Sequence, residues 1–339
     1  VYDLVYKHIN KYLYGSKNSQ KLRNTIQLTI VTILVYEGWQ FYLFVSHFRD
    51  GTAYVSRPPA IEAFLPISAL VGLKSWISTG LYDTVHPAGL AIFLAALLSA
   101  SFFARGFCSW LCPIGALSEF LGGIGKKISG KKLLVPQLLD YPLRSIKYLI
   151  LAFFIKAVLI DMSGTTAYAF INSPYNKVVD VKMLDFWIQP GTLTILVTCL
   201  LVIASLFIHN FWCRYLCPYG ALLGVVGIFS PLKIVRESEK CTSCSKCSKV
   251  CPSYIKVESQ SKVSSQECIK CFKCIENCPS NALHIWPSQE KLSPILFGIF
   301  LTVLFFSVLA IAKISGHWYS EVSYYEYSQL IPKAHLFTH

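Results

Sequence analysis

Apolar and polar residues alternate along this chain in long blocks rather than with a short period. The block from Thr25 to Phe48 is apolar on every side through L-T-I-V-T-I-L-V-Y. About 20 such residues cross the ~30 Å hydrocarbon layer of a bilayer, so this block predicts a spanning helix. Glu37 interrupts it. A carboxylate at that depth is costly and marks a functional candidate, unless it sits at the outer interface beside Trp39 and Tyr42. Residues 49–84 are apolar too, but Pro58, Pro59, Pro66 and Lys74 break them up. They predict a short helix lying in, or re-entering, the interface. Further spans are predicted at 85–103, opened by His86-Pro87, at 143–162 with Arg144 and Lys147 at its inner end, at 192–209 and at 295–312. Between them lie a basic loop (Lys126, Lys127, Lys131, Lys132), a polar outer loop at 163–190, a polar insert at 231–290 and a Tyr-rich tail.

Composition sets the same course. Of 339 residues, 54% are apolar and only 14% charged, against about 25% charged in ordinary soluble domains. The mean hydropathy is +0.49. A net charge of +13 invites a nucleic-acid reading, but the cations follow loop boundaries, as the positive-inside rule requires. With the N-terminus inside, segments 1–24, 105–147 and 210–293 hold 23 of the 31 Lys and Arg. This predicts a cytoplasmic insert and a periplasmic C-terminus in a multi-pass inner (cytoplasmic) membrane protein. The first apolar run has no small-residue cleavage site behind it, so no cleavable signal peptide is expected. The expected organisation is a cytoplasmic segment (1–24), two two-helix repeats (25–130 and 131–230), the insert (231–290), and a fifth span with its tail (291–339).

The insert carries the chemistry. It reads C-T-S-C-S-K-C-S-K-V-C-P and then C-I-K-C-F-K-C-I-E-N-C-P, two C-x2-C-x2-C-x3-C-P runs, the ligand pattern of a bacterial-type 2[4Fe–4S] ferredoxin. Three thiolates two residues apart wrap one face of a cluster from a single loop. The fourth, turned away by its proline, serves the other cluster. The expected sets are Cys241, Cys244, Cys247 with Cys278, and Cys268, Cys271, Cys274 with Cys251. Zinc also takes C-x2-C pairs, but both halves here are complete and closed by Cys-Pro. Disulfides do not suit so dense a set of thiols in a reducing compartment.

Shifted by 105 residues, the chain partly matches itself: Phe102, Cys108, Leu111, Cys112, Pro113, Gly115, Ala116, Leu117 and Gly122 fall on Phe207, Cys213, Leu216, Cys217, Pro218, Gly220, Ala221, Leu222 and Gly227. Both copies enter the cytoplasmic boundary the same way, so the repeat is parallel, and Cys108, Cys112, Cys213 and Cys217 should converge. Three readings stand open there: an additional cluster or other metal, redox-active thiol pairs, or buried packing residues. If the segment is helical, cysteines at i and i+4 share a face; the proline after the second instead favours a new turn. Cys199, alone in a span, reads as packing. A quinol site needs a proton acceptor near a bilayer face; Glu37, His47, Glu62 and His86 are the candidates, each also suited to capping a helix or anchoring at an interface. His209 and Arg214 suit lipid phosphate or the support of a cluster. The tail aromatics suit an interfacial belt or a partner subunit. No Ser/His/Asp nucleophile set, phosphate-binding Gly loop or haem-attachment C-x-x-C-H is present.

The twin C-x3-C-P-x-G-A-L motifs, R-P-P-A-I-E-A-F-L-P-I-S-A-L at 57–70 and the downstream double ferredoxin together resemble the NapH/NosR-type membrane ferredoxins, over residues 25–290. The resemblance implies a quinol dehydrogenase subunit that takes electrons from the quinone pool and passes them through iron–sulfur centres to partner redox subunits such as c-type cytochromes or iron–sulfur proteins. The large flavin domain of the NosR-like members is not expected here, where the chain leaves no room for one. The fifth span and outer tail are similar instead to copper-reductase assembly factors of haem–copper oxidases, a second enzymatic reading. A redox-sensing scaffold is a third. The expected fold is a mainly α integral membrane protein of about five spanning helices with a cytoplasmic two-cluster insert.

Overall fold

The computed structural model describes residues 18–130, 135–287 and 292–337. Most of the expected cytoplasmic N-terminal segment, and Lys131 and Lys132 of the basic loop, lie outside the described residues. The chain is predominantly helical. In order, α1 is Asn18–Asp50, α2 Pro66–Thr79, α3 Pro87–Phe103, α4 Gly106–Trp110, α5 Pro113–Ser129, α6 Gln137–Ile155, α7 Gly164–Ile171, α8 Val179–Ile188, α9 Thr192–Phe207 and α10 Pro218–Val226. Then come β1 (Lys233–Arg236), α11 (Lys246–Val250), β2 (Lys262–Val263), α12 (Lys273–Glu276), β3 (Leu283–Trp286), α13 (Pro294–Ile314) and α14 (Tyr324–Leu330).

Among the described residues, α1 and α13 are long and apolar enough to cross a membrane as single helices. The pair α8 and α9 meets the same test together but bends by 78° at its break, where Gln189, Pro190 and Gly191 interrupt it. Helix α3 is apolar but only 17 residues long. Helix α6 carries Pro142 and runs on into π-helical turns at Lys156–Asp161. The outer segment expected as a loop at 163–190 is instead largely helical, through α7 and α8. Ser163 caps α7 by accepting the Thr166 N–H at 3.1 Å, a local signal that overall polarity hides.

The chain forms two compact units. The first comprises the described parts of Val1–Val31, Ala96–Tyr148 and Ile203–Phe305, the second Thr32–Ala95, Leu149–Val202 and the described part of Phe306–His339. Their boundaries fall inside α1, α3, α6, α9 and α13.

In the first unit the insert folds around a three-stranded antiparallel sheet of order β2-β1-β3. Ile234 of β1 stands opposite Val263 and Ile285, and all three are buried. The strand's period of two thereby places one apolar face inward. Phe272 meets Phe297 of α13 edge-on at 4.7 Å, and Trp110 lies 6.1 Å from the same ring. The second unit has a core of Phe41, Phe44, Val45, Ile61, Val178, Val181, Tyr327 and Ile331. The tail therefore corrects its expected role. Tyr327 packs in this core, and Ser323 with Glu326 forms a capping box on α14. Tyr324 and Tyr325 remain exposed.

Candidate functional site

Two cavities of the first unit are built from cysteines. One is lined by Cys241, Cys244, Cys247 and Cys278, the other by Cys251, Cys268, Cys271 and Cys274. The loops that hold them are pseudo-repeats. Ser243 and Lys270, Ser245 and Phe272, Tyr254 and Asn281 all have positive φ and occupy matching places in the two halves. Left-handed residues turn successive N–H groups inward as an anion-binding concavity. The N–H groups of Ser243, Lys246 and Lys273 accordingly favour the thiolates of Cys241, Cys244 and Cys271.

The residues present fit iron–sulfur clusters. The thiols of each quartet are spread around its cavity. Lys270, buried and lining the second cavity, makes no ion pair among the described residues. A buried ammonium needs a counter-charge, and an anionic cluster would supply one. The two quartets differ in depth. Cys244 is exposed, whereas Cys271 and Cys274 are buried. Burial and the Cys271 and Cys268 sulfurs push the Cys274 thiol well up, and burial with the same neighbours takes Cys251 up to about 12. Metal coordination is what ionises such thiols.

The four motif cysteines come together. Burial, and after it the nearby sulfurs of Cys112, Cys217 and Cys108, push the Cys213 thiol well up. Each motif uses its proline in the same way. Cys112 and Cys217 are extended N-cap residues, and Pro113 and Pro218 stand first in α5 and α10, where a missing N–H costs nothing. The Gly220 N–H reaches Cys217 Sγ at 3.2 Å. A Cβ on Gly115 would stand 2.1 Å from the Cys108 carbonyl oxygen, and one on Gly220 3.0 Å from Arg105 Nη2, so both glycines allow a close approach that a larger residue would block. Cys108 lies in α4, while Cys213 sits in a π-helical turn, Trp212–Leu216. Burial and the Cys108 sulfur push the Cys112 thiol up to about 12, against the N–H groups of Gly115 and Ile114.

The motif segments hold the second quartet's loops. Arg105 donates to Glu267 Oε2 at 3.0 Å and to the Gln266 carbonyl at 3.3 Å. Ser109 Oγ and Trp110 Nε1 donate to the Ile269 and Lys270 carbonyls at 2.5 and 3.1 Å. Arg214 Nη1 donates to the Ser253 carbonyl at 2.7 Å, and its other nitrogens to Asp140 at 2.9 and 2.8 Å. The lipid-phosphate expectation for Arg214 is thereby overturned: the side chain is buried and its donors are committed inside the protein. His209 is buried against Gly122, whose Cβ would fall 2.2 Å from Nδ1. From the N-terminal side, Gln20 Nε2 donates to the Cys271 carbonyl at 2.8 Å. Arg23 pairs with Glu119 at 2.9 and 2.7 Å, and Lys273 with the same carboxylate at 2.5 Å. Sequence reasoning missed Arg105, Glu119, Asp140 and Glu267. Arg105, three residues before Cys108, was the one within reach of a motif.

The second unit brings together two of the four quinol candidates. Glu62 Oε1 lies 3.6 Å from His86 Nδ1, both buried. Arg57 donates to Glu62 at 2.6 Å and, through Nε and Nη2, to Asp180 at 2.9 and 2.7 Å. Glu62 Oε2 also accepts the Gly89 N–H at 2.8 Å. His86 Nε2 is 2.7 Å from the Asn176 carbonyl. A carbonyl only accepts, so Nε2 carries the proton and Nδ1 faces Arg57 and Glu62. Prolines set the frame: Pro59 opens the 3-10 turn Pro59–Phe64, and Pro87 opens α3 directly after His86. Burial raises Glu62, but the Arg57 charge and His86 outweigh it and hold the carboxyl below its usual range. Glu37 and His47 stand apart from this group. The Glu37 carboxylate meets the Ala60 N–H, and His47 Nε2 bonds the Tyr324 hydroxyl at 2.8 Å. Cys199 is exposed on α9, not packed as expected.

Residues 85–132 and 190–236 each match the 4Fe-4S binding domain family, and residues 233–279 match the 4Fe-4S dicluster domain family. The chain is 40% identical to the putative electron transport protein YccM of Escherichia coli (strain K12), over 95% of this chain and 93% of that protein. It is 28% identical to the ferredoxin-type protein NapH of the same organism, over 54% of this chain and 59% of that one. With the regulatory protein NosR of Stutzerimonas stutzeri it shares 29% identity over 48% of this chain and 22% of NosR. No solved structure matches.

Proposed function

We propose that this chain, which belongs to the NapH/NosR-type family of ferredoxin-like electron-transport proteins, relays electrons between the quinone/quinol pool and partner redox proteins such as cytochromes. The observation that carries the reading is the pair of cysteine quartets around two cavities, the second gripped by the segments that bear the twin motifs. Cys241, Cys244, Cys247 and Cys278 would hold one [4Fe–4S] cluster, and Cys251, Cys268, Cys271 and Cys274 the other. Cys108, Cys112, Cys213 and Cys217 would hold a further iron–sulfur centre or metal. Bound clusters supply one-electron transfer without proton movement. The chain's own residues turn N–H groups toward the sulfurs, exclude water from the second quartet, and fix both motifs to its loops.

In this reading the protein crosses the inner membrane about five times as a parallel repeat, with the ferredoxin on the cytoplasmic side and the C-terminus outside, as the charge distribution favours. Quinol oxidation also releases protons, and the buried Arg57–Glu62–His86–Asp180 group suits their capture. It holds two carboxylates against one guanidinium, so a proton on His86 Nδ1 completes its charge balance. The test is iron and acid-labile sulfide per chain, isolated without oxygen, with electron-spin signals followed on adding quinol. About eight irons match the two ferredoxin clusters alone, and about twelve add a third at the motifs. A colourless, iron-free protein would sink the reading, and signals indifferent to quinol would remove the quinone pool from it.

A further inference from the structure

We propose that Arg105 is the positioning residue that couples the four motif thiolates to the second cysteine quartet. The inference rests on the reading that both sets hold redox iron. Arg105 stands three residues before Cys108, at the N-cap of α4, and its side chain is buried. Its Nη2 donates to the Cys213 carbonyl at 3.4 Å. A Cβ placed on Gly220 would touch that nitrogen at 3.0 Å and Cys217 Sγ at 3.6 Å, so the guanidinium and the Cys217 thiol border the same space beside Gly220. Its Nη1 turns the other way, to Glu267 at 3.0 Å and the Gln266 carbonyl at 3.3 Å, and Glu267 is the residue before Cys268.

One planar fork thus joins both motif copies to the loop of the second quartet. A lysine, with a single point charge, cannot span both. Glu267 is shared with Lys147 Nζ at 2.7 Å from each carboxylate oxygen, which locks the far end of the bridge. A fixed positive charge in a poorly screened interior favours the more negative, reduced state of a thiolate-held centre. Removing it therefore lowers the reduction potential on both sides. Among the described residues, none of the hydrogen bonds of Arg105 reaches the first quartet, which serves as an internal control.

The experiment is a potentiometric titration of the purified full chain, followed by electron-spin signals, for the unaltered protein, Arg105→Gln and Arg105→Lys. In Arg105→Gln the second-quartet and motif signals shift together to lower potential. The expected size is a tenfold change in the reduced-to-oxidised ratio at fixed potential, which is about 59 mV for one electron. The first-quartet signal stays in place. Arg105→Lys reverses the shift on one side only. Should Arg105→Gln lose iron, Gly220→Ala displaces Nη2 while keeping the charge and gives a smaller shift in the same direction. Three signals with unmoved midpoints in an iron-replete variant, or an equal shift of all three, would overturn the coupling alone. Two signals and about eight irons in the unaltered protein would overturn the third centre and the coupling with it.

Discussion

Trp110 Nε1 donates to the Lys270 carbonyl at 3.1 Å. Together with Ser109 Oγ on the Ile269 carbonyl, this bond fastens the first C-x3-C-P segment to the loop between Cys268 and Cys271. Trp110 is fully buried, and a Cβ added to Gly298 would meet its ring at 2.1 Å. The indole is therefore held from behind by α13 and in front by the ferredoxin loop. Trp110→Phe removes a buried donor's bond and leaves space behind it, at a cost of about 1–3 kcal/mol. The expected result is a lower thermal midpoint and faster oxygen bleaching of the second quartet's signal. Unchanged bleaching would show that this bond does not secure the loop.

Glu119 gives a pH dependence of known sign. Burial raises its pKa, but the charges of Arg23 and Lys273 outweigh burial and hold it down at about 2. An unfolded glutamate titrates near ~4.3. The depressed value thus adds stability that is complete above that pH and is lost as pH falls toward 2. The contribution is of order 3 kcal/mol. Comparison with Glu119→Gln isolates it from the acid sensitivity of the clusters. The gap in thermal midpoint should be widest at neutral pH and close steadily between pH ~4.3 and ~2. A gap that stays constant down to pH 3 would contradict the assignment.

Cys271→Ser tests the division into two quartets. Loss of a buried ligand should remove about four irons and the buried signal, leaving the signal of the Cys241 quartet. Cys199→Ser, on an exposed face of α9, should change neither. Loss of both signals from Cys271→Ser would mean that the clusters do not assemble separately.

Glu62→Gln breaks a fully buried pair while Arg57 keeps Asp180. Removing one partner of such a pair costs about 3–5 kcal/mol. If the group also accepts protons, a folded Glu62→Gln protein should reduce its clusters normally with dithionite but slowly with quinol. His47→Gln, whose ring bonds Tyr324 instead, should leave the quinol rate unchanged. Equal quinol rates for Glu62→Gln and the unaltered protein would confine the group to a structural role.

Several features are legible in the sequence because their causes are local. The Cys-Pro steps of both motifs start helices, since proline lacks the N–H that a first helical turn does not need. The 33-residue helix α1 is built on the apolar run at 25–48, which Glu37 interrupts without ending the helix. Other features were hidden. The 78° bend between α8 and α9 at Gln189–Gly191 lies just before an expected span, and hydropathy averages cannot register a bend. Arg214 read as a lipid contact because, in sequence, a basic residue at a membrane boundary looks the same whether it faces headgroups or Asp140. The tail aromatics misled similarly, since Tyr327 and Tyr324 look alike until one is buried.

What the sequence determined by itself is the kind of chemistry: thiolates at spacings set by a single loop's reach, on a chain too apolar for water alone. Tertiary structure alone decided which of those thiolates are shielded and which charges stand among them. Arg105 and Glu267 are 162 residues apart, as are Arg57 and Asp180 at 123. No local period brings such pairs together. They meet because a buried guanidinium must find its carboxylate wherever the packed helices deliver one.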